Sequence, residues 1–460
     1  MVPPVAVRLP TDGDNLSNFR INDEKPDREI KEFLYFMKGS IRLIRSQEIR
    51  HYNNLGPIYE WMDHQTYLLI DRVSFCGIQG AILVYNNPPV HQVATPGLHA
   101  FLDGIDAVSR RAADLEYLIL YDSNDPLHAG GDLKESLRNL EATLEKKKLK
   151  KAAGAPPQEI DALFSWGEER LGKGVTLYKK IRGLAERIRV LAVCGGGMRF
   201  GGSAEIPLMA DYLIGDSRGG MCFSEALIGI IPGWGGITRV LIKAGLINAA
   251  FMAKTAREIS ADDLRDMGVY NEVIPIPFPF PKRFKTSDLQ GDLRQYLEDL
   301  EEGNHQTGKL LLPRALEMAV CPQEKIPVLH NGQKRNLADE GEMAEEVERR
   351  VDPFNYSHIR NRPLRDIQEE IGRIGRPLAA QSIRALEELL AAYDPRTFVE
   401  LDFVEKELTA DAALYRHPTF LEGLKATLEQ RVPDFRSPVI RMQDDLERTT
   451  ERKYKIGERK

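Results

Sequence analysis

Cysteine is scarce in this 460-residue chain. Cys76, Cys194, Cys222 and Cys321 lie far apart, with no CxxC spacing. Neither a disulfide framework nor a zinc cage is expected, and no metal site. Cys222 reads as a small buried apolar residue, and the pattern as a whole fits a reducing compartment, the cytoplasm. Also missing is any uninterrupted apolar run of the ~18 residues that would cross a membrane. The opening Met1-Val2-Pro3-Pro4 lacks the basic-then-apolar order of a secretory signal. Neither sign of charge dominates: 63 Lys and Arg stand against 69 Asp and Glu, a net charge of −6. So mild a balance leaves no electrostatic footprint for nucleic acid. What remains is a globular composition, 42% hydrophobic and 29% charged, able to bury a real core.

At this length more than one domain is expected. Residues 1–65 are polar and poorly patterned, as in an N-terminal extension. From 66 to 275 short apolar runs alternate with helical periodicity. Strands are expected at Gly80–Tyr85, Tyr117–Tyr121, Val190–Cys194 and Asp211–Gly215. A helix is expected from Leu98 to about Ala113, where Leu98, Leu102, Ile105 and Val108 recur at spacings of four and three. Asn86-Asn87-Pro88-Pro89 is a turn signal. This order argues for an α/β fold with a largely parallel sheet. Pro275, Pro277, Pro279 and Pro281 then exclude helix and central strand. They open a stretch, 276–376, of loops and acidic helical pieces (Asp292–Glu302, Asp339–Arg350) that reads as an insertion. Three helical segments follow in 377–436, at Leu378–Tyr393, Phe398–Leu414 and Pro418–Gln430. The last part, 437–460, is a charged tail expected to fray.

Three short stretches carry chemistry. In the first, His128–Glu135, Ala129-Gly130-Gly131 lets backbone approach a ligand closely, and Asp132 stands where a helix cap would. The free amides of that helix start could meet a developing anion; taken alone, the segment reads first as a plain Gly-rich turn. In the second, Gly195–Ile206, a strand again runs into glycines and then a helix, near Gly202. Two such backbone donors facing one pocket would hold a thioester oxygen as it becomes an enolate. A dinucleotide loop is the competitor for this glycine run. It is disfavoured, because no GxGxxG opens the first βαβ unit and no acidic ribose partner follows. In the third, Met221–Arg239, Glu225 lies among Phe223, Ala226, Leu227 and Ile228, an expensive place for an unpaired carboxylate. Glu205 is flanked by Ala204, Ile206 and Pro207. Either alone reads as a satisfied structural carboxylate; together they suggest paired acid/base work. Two carboxylates in one pocket should raise at least one pKa.

These stretches resemble the signature segments of the crotonase (enoyl-CoA hydratase/isomerase) superfamily. His128–Glu135 is similar to the family's Ser-Ala-Gly-Ala-Asp-Leu-Lys-Glu. Gly197–Ile206 is similar to Gly-Tyr-Ala-Leu-Gly-Gly-Gly-Cys-Glu-Leu. Phe223–Arg239 is similar to Phe-Gly-Gln-Pro-Glu followed by Leu-Gly-Leu-Ile-Pro-Gly-Gly-Gly-Gly-Thr-Gln-Arg. Glu205 and Glu225 are 20 positions apart, the separation found in the family's hydratases. Ile259–Leu264 with Met267–Val273, and the terminal Leu424–Arg436, look like later family elements. The resemblance covers about 66–275 and 377–436. It implies a ββα superhelix core, a C-terminal helical region that closes the subunit and trimerises it, and a large insertion between the two.

By residue, the resemblance implies an oxyanion hole from the Gly131 and Gly202 amides. It implies that Glu205 and Glu225 grip one water and add it across an α,β-double bond. Ala129, Asp132 and Leu133 fall at substrate or coenzyme A contacts. Phe435 and Arg436 match a pair that meets the nucleotide end of coenzyme A from a neighbouring subunit, in a homotrimer or dimer of trimers. No cofactor is implied beyond the coenzyme A of the substrate. The departures are also plain. Gly196 stands where the family has Asn, and Arg199 is large and charged at a usually small position. His128 replaces a small or hydroxylated residue, and reads either as a surface turn histidine or, flipped in, as an extra acid. The gap from Glu135 to Gly197 is long and carries Glu145-Lys-Lys-Lys-Leu-Lys-Lys151, a solvated helix end or a phosphate clamp.

Hydration of an enoyl-CoA, or its reverse, is therefore the expected activity of an acyl-CoA lyase. Hydrolytic ring opening of a cyclic oxo-acyl-CoA is the rival within the fold, and non-catalytic binding of a coenzyme A thioester is the rival of another class.

Overall fold

The computed structural model describes residues 39–63, 66–87, 90–281, 293–352, 354–437 and 440. Most of the expected N-terminal extension, the turn prolines Pro88 and Pro89, and nearly all of the expected charged tail lie outside the described residues. The chain divides into two compact units. The first takes the described residues up to Gly131, together with Leu177–Met221 and Ile259–Lys334. The second takes Asp132–Thr176, Cys222–Glu258 and the residues from Arg335 onward.

The first unit is mixed α/β. Its strands are β1 (Tyr52–Met62), β2 (Tyr67–Phe75), β3 (Ile78–Asn86), β4 (Tyr117–Tyr121), β5 (Leu127–His128), β6 (Arg189–Cys194), β7 (Met198–Phe200), β8 (Tyr212–Asp216), β9 (Gly220–Cys222), β10 (Ile259–Ser260) and β11 (Glu272–Ile274). Seven form one sheet in the order β1-β2-β3-β4-β6-β8-β11. The β1-β2-β3 meander is antiparallel and every later pairing in this sheet is parallel. All five residues of β4 are buried, as expected of a parallel strand covered on both faces. A smaller sheet runs β10-β9-β7-β5, and in it His128 of β5 stands opposite Arg199 of β7.

Two layers of helix cover the large sheet. Thr95–Ser109 buries Leu98, Phe101, Ile105 and Val108 and packs on β1 and β2. Elsewhere Ile82, Val84, Ile119, Leu191, Val193 and Ile214 share one core with Leu311, Leu312 and Leu316 of helix Leu293–Val320. Each such leucine contributes roughly 1.5–3 kcal/mol by leaving water. Arg189 at the start of β6 fastens the end of that helix, donating to the carbonyls of Met318, Ala319 and Cys321 at 2.7–2.9 Å, where a cation favours the orphan carbonyls.

Two boundaries therefore differ from the reading of the sequence. The sheet begins at Tyr52, inside the expected extension. β1 escapes notice because it is an edge strand: it alternates buried or half-buried with exposed residues, and Pro57 interrupts its register with β2, which only an edge tolerates. The expected insertion does not stand apart either. Its first helix is core to the first unit, and its residues from Arg335 belong to the second.

The second unit is mainly helical. Ala380–Ala391, Glu400–Leu414 and Pro418–Leu428 are the three expected C-terminal segments. Buried carboxylates of Glu400–Leu414 hold the loop before helix Gly236–Ala244. Asp411 accepts from the Ile231 amide at 2.9 Å and Glu407 from the Thr238 amide at 2.6 Å. Leu133–Ala152 starts at Asp132, whose side chain caps the Glu135 amide at 2.9 Å, and the lysine run forms its largely exposed far end. Among the described residues no helix is long and apolar enough to cross a membrane.

Candidate active site

Two glycine turns of the first unit touch. The strand β5 hands the chain to Ala129-Gly130-Gly131, and β7 hands it to Gly201-Gly202 at the start of helix Gly202–Leu208. Gly130 has φ +78°, and a Cβ there would stand 2.4 Å from the Phe200 carbonyl oxygen. Only glycine combines that backbone with that approach. One bond joins the two turns and two more anchor the first turn to Val90 and Val93. The Gly130 amide donates to Ser203 Oγ at 3.0 Å, the Val93 amide donates to the Gly130 carbonyl at 2.6 Å, and the Ala129 amide donates to the Val90 carbonyl at 2.8 Å. Gly201, at φ +50° and ψ −128°, precedes the helix, so the Gly202 amide is one of the orphan donors of a helix start. Among the described residues neither the Gly131 nor the Gly202 amide donates to an acceptor.

Glu205 lies one turn into the same helix and is 3% exposed. Glu225 belongs to the second unit, in the 3-10 turn Glu225–Leu227, and is 6% exposed. Its carbonyl accepts from the Ile228 and Ile230 amides, and the neighbouring Ala226 carbonyl from the Ala379 amide at 2.9 Å. Helix Pro418–Leu428 comes so close that a Cβ on Gly423 would sit 2.3 Å from the Ile228 carbonyl oxygen. The Cys222 thiol is buried, donates to the Ala256 carbonyl at 3.4 Å, and is pushed up in pKa by burial and then by the charge of Glu225. It stays a protonated thiol.

The remaining expected residues divide between the units. Ala129 and Gly131 stand with Gly202 and Glu205 in the first; Asp132, Leu133, Phe435 and Arg436 stand with Glu225 in the second. Phe435 and Arg436 line a cavity of the second unit with Arg350, Arg360, Arg384 and Asp352; Arg350 pairs with Glu346 at 3.0 Å and Arg360 with Asp434 at 3.3 Å.

His128 is neither a surface histidine nor an acid. It is wholly buried, and among the described residues neither ring nitrogen has a hydrogen-bond partner. Its Nδ1 stands 3.5 Å from Asp122 Oδ2. Burial, and next the charge of Arg199, hold its pKa well below the ordinary histidine value, so the ring is neutral. Arg199 explains the environment. It is a fully buried side chain in a bidentate pair with Asp122, at 2.7 and 2.9 Å, and it also donates to the Gly195 carbonyl at 2.7 Å. Burial is the largest single influence and works to raise the Asp122 pKa, but the charge and hydrogen bonds of Arg199, with the neighbouring histidines, together outweigh it and hold the carboxyl below its usual range.

Residues outside the sequence reading complete this polar cluster. The His91 ring packs 4.9 Å from that of His128. Its Nδ1 accepts from the Asn87 amide at 3.2 Å, which makes Nε2 the donor to Asp125 at 2.5 Å, and Asn304 donates to the other Asp125 oxygen at 2.5 Å. The signal that could have found them is the polar run Asp122-Ser123-Asn124-Asp125 directly after the apolar β4. Beside the cluster lies a small cavity, partly open to solvent. Its apolar wall includes Leu83, Val93, Phe101, Leu120 and Ile206; its polar residues include Asp122, Arg199, Ser203 and His91.

Residues 173–277 match the family model described as enoyl-CoA hydratase/isomerase. Over 80 residues, 17% of this chain, it is 34% identical to "Enoyl-CoA hydratase, mitochondrial" of Pongo abelii, 28% of whose length is covered. The same identity over 80 residues relates it to "Carnitinyl-CoA dehydratase" of Salmonella enteritidis PT4, with 30% of that protein covered. The match thus spans less than a third of either relative. Among solved structures, an enoyl-CoA hydratase from Rhodobacter sphaeroides 2.4.1 aligns over 79% of this chain and 91% of that one, at 13% identity and a TM-score of 0.44. One from Bacillus halodurans aligns over 80% and 98%, at 12% identity and a TM-score of 0.40. The family model runs across β6, the Gly201-Gly202 turn, Glu205, Glu225 and the Gly229–Arg239 loop, so over this segment the chain is similar to the enoyl-CoA hydratase/isomerase family.

Proposed function

We propose that this protein is an acyl-CoA lyase that adds water to an α,β-unsaturated acyl-CoA, or removes it. The observation that carries the reading is the pair of unspent amides, Gly131 and Gly202, on two glycine turns that touch. They would receive the thioester oxygen as it gains charge, and donors already aimed at that charge cost no reorganisation in the transition state. Glu205 and Glu225 take the acid/base roles. One carboxylate accepts a proton as water oxygen bonds to the β-carbon; the other delivers a proton to the α-carbon, closing the enolate. No proton is gained or lost overall, and no cofactor is needed beyond the coenzyme A of the substrate. Ala129, Asp132 and Leu133 would contact the thioester arm. Phe435 and Arg436, with the arginines around them, would contact the nucleotide, in a homotrimer or dimer of trimers working in the cytoplasm. The names of the relatives, a hydratase and a dehydratase, support the two directions of this one reaction.

The test is mass spectrometry of wild type, Glu205→Gln and Glu225→Gln with enoyl-, dienoyl- and cyclic oxo-acyl-CoAs in 18O water. Wild type should form a labelled hydroxyacyl-CoA, and each variant should lose about 100-fold or more, the range of positioned proton transfer. Label in a new carboxylate would assign ring hydrolysis instead. No turnover of any thioester would overturn the reading.

A further inference from the structure

Arg199 and Asp122 are a charged pair where the rest of the cavity wall is largely apolar, and nothing in water addition at a double bond requires them. A buried pair of this kind is costly to assemble, and well-packed apolar residues often serve stability equally well. Arg199 spends its Nη groups on Asp122 and the Gly195 carbonyl. Asp122 differs: it lines the cavity and keeps 21% of its side chain accessible, against 2% for Arg199. An ionised carboxylate only accepts hydrogen bonds. An alkyl chain seated there would strip water from Asp122 and return nothing, a loss borne by every buried acceptor left without a donor. A hydroxyl would replace that water. Tyr85 and Phe101, whose rings stack at 4.8 Å, give the cavity an aromatic wall for a ring. Its position ties it to the thioester site, because Ser203 follows Gly202 and Val93 bridges Gly131.

We infer that the first-unit cavity selects acyl-CoAs whose acyl group is a ring bearing a hydroxyl, with Asp122 accepting from that hydroxyl and Arg199 as the positioning residue that fixes Asp122. This rests on the reading of the Gly131 and Gly202 amides as the thioester site. The other polar groups facing the pair are compatible with it. The Tyr85 hydroxyl is engaged by the Gln92 carbonyl at 2.7 Å and Ser203 Oγ by the Gly130 amide. His91 is engaged by Asn87 and Asp125. Asp122 is thus the strongest acceptor facing the cavity among these groups.

The experiment is calorimetric binding of two kinds of unreactive thioester to the full chain: phenylacetyl-CoA, and each of its ring-hydroxylated isomers. Wild type should bind at least one hydroxylated isomer about tenfold to a hundredfold more tightly, the worth of one hydrogen bond to a charged group. The double variant Asp122→Leu/Arg199→Met should bind both kinds within about threefold of each other. Where that variant fails to fold, Asp122→Asn, which keeps the shape but not the charge, should cut the preference to a few-fold. Equal binding of all isomers by wild type overturns the inference while leaving the lyase reading intact, and so does a preference that survives in the variants. Failure of wild type to bind any of these thioesters, or any enoyl-CoA, overturns both.

Discussion

Acidification should unfold this protein partly through one residue, His128. Its ring is wholly buried without a hydrogen bond to either nitrogen, and burial and Arg199 keep it neutral far below the ordinary histidine range. In the unfolded chain the same ring protonates near pH 6.5. As the pH falls through that value the unfolded state takes up a proton that the folded state refuses, so stability is lost on acidification. Between about pH 7.5 and 5.5 the loss from this one group is about 1.4 kcal/mol, the cost of one pH unit on one proton. Asp122 and Asp125 oppose the shift; Arg199 and His91 reinforce it. The comparison is His128→Phe, which keeps a ring of similar size, sacrifices no hydrogen bond and never titrates. Urea midpoints at constant m value should show wild type losing about 1.4 kcal/mol more than the variant over that interval, with the two near equal at the upper end. The imidazole Cε1 proton resonance of His128 should not titrate in the folded protein over the same interval. Parallel stability curves, or a His128 resonance that titrates near 6.5, would refute the reasoning.

Three further perturbations follow from the same unit. Gly130→Ala forces a side chain into φ +78° and against the Phe200 carbonyl; it should lower turnover at least about tenfold, because a shift of about 1 Å at a positioning turn is that costly, and steady-state kinetics with circular dichroism would check it. Arg199→Ala strands the Asp122 carboxylate and the Gly195 carbonyl, and should destabilise by about 3–5 kcal/mol, whereas Asp122→Leu/Arg199→Met together should stay within about 2 kcal/mol of wild type in urea titration. Leu312→Ala, in the helix that the sequence marks as insertion, should cost about 2–5 kcal/mol by the same assay; a loss below about 1 kcal/mol would show that the helix is not core.

The sequence revealed the parts of this chain whose physics is local. β3, β4, β6 and β8 are short apolar runs because parallel strands are buried on both faces, and each falls within about two residues of its expected place. Asp132 caps its helix as its position before Leu133 demanded, and the C-terminal helices follow their periodicity. What escaped depends on partners distant in the chain. β5, β7, β9 and β10 are two or three residues each, too short for any pattern to accumulate. Helix Leu293–Val320 looked like loops and acidic pieces because its charged residues are on the chain in plain view, while the surface that makes Leu311, Leu312 and Leu316 core is supplied by strands more than 90 residues earlier. His128 was legible as unusual but not as buried, since nothing in the local sequence says that Arg199 stands opposite it.

That last pairing also explains why departures from the family pattern fall together. An arginine at position 199, in a strand packed against β5, has no route to solvent, so its charge must be met inside; Asp122, at the end of the adjacent β4, meets it through both carboxylate oxygens. A small residue at 128 would leave a void beside that pair, in an interior otherwise close-packed. Imidazole fills the space, and because burial, and next the guanidinium, disfavour a second positive charge there, it fills it as a neutral ring. The three positions therefore act as one cluster in physical terms, and replacing any one of them alone by an apolar residue should be worse than replacing all three. That non-additivity, measured as an interaction energy between residues in direct contact, separates a co-adapted cluster from three independent accidents: additive effects within about 0.5 kcal/mol would mean that Arg199, Asp122 and His128 merely share a neighbourhood.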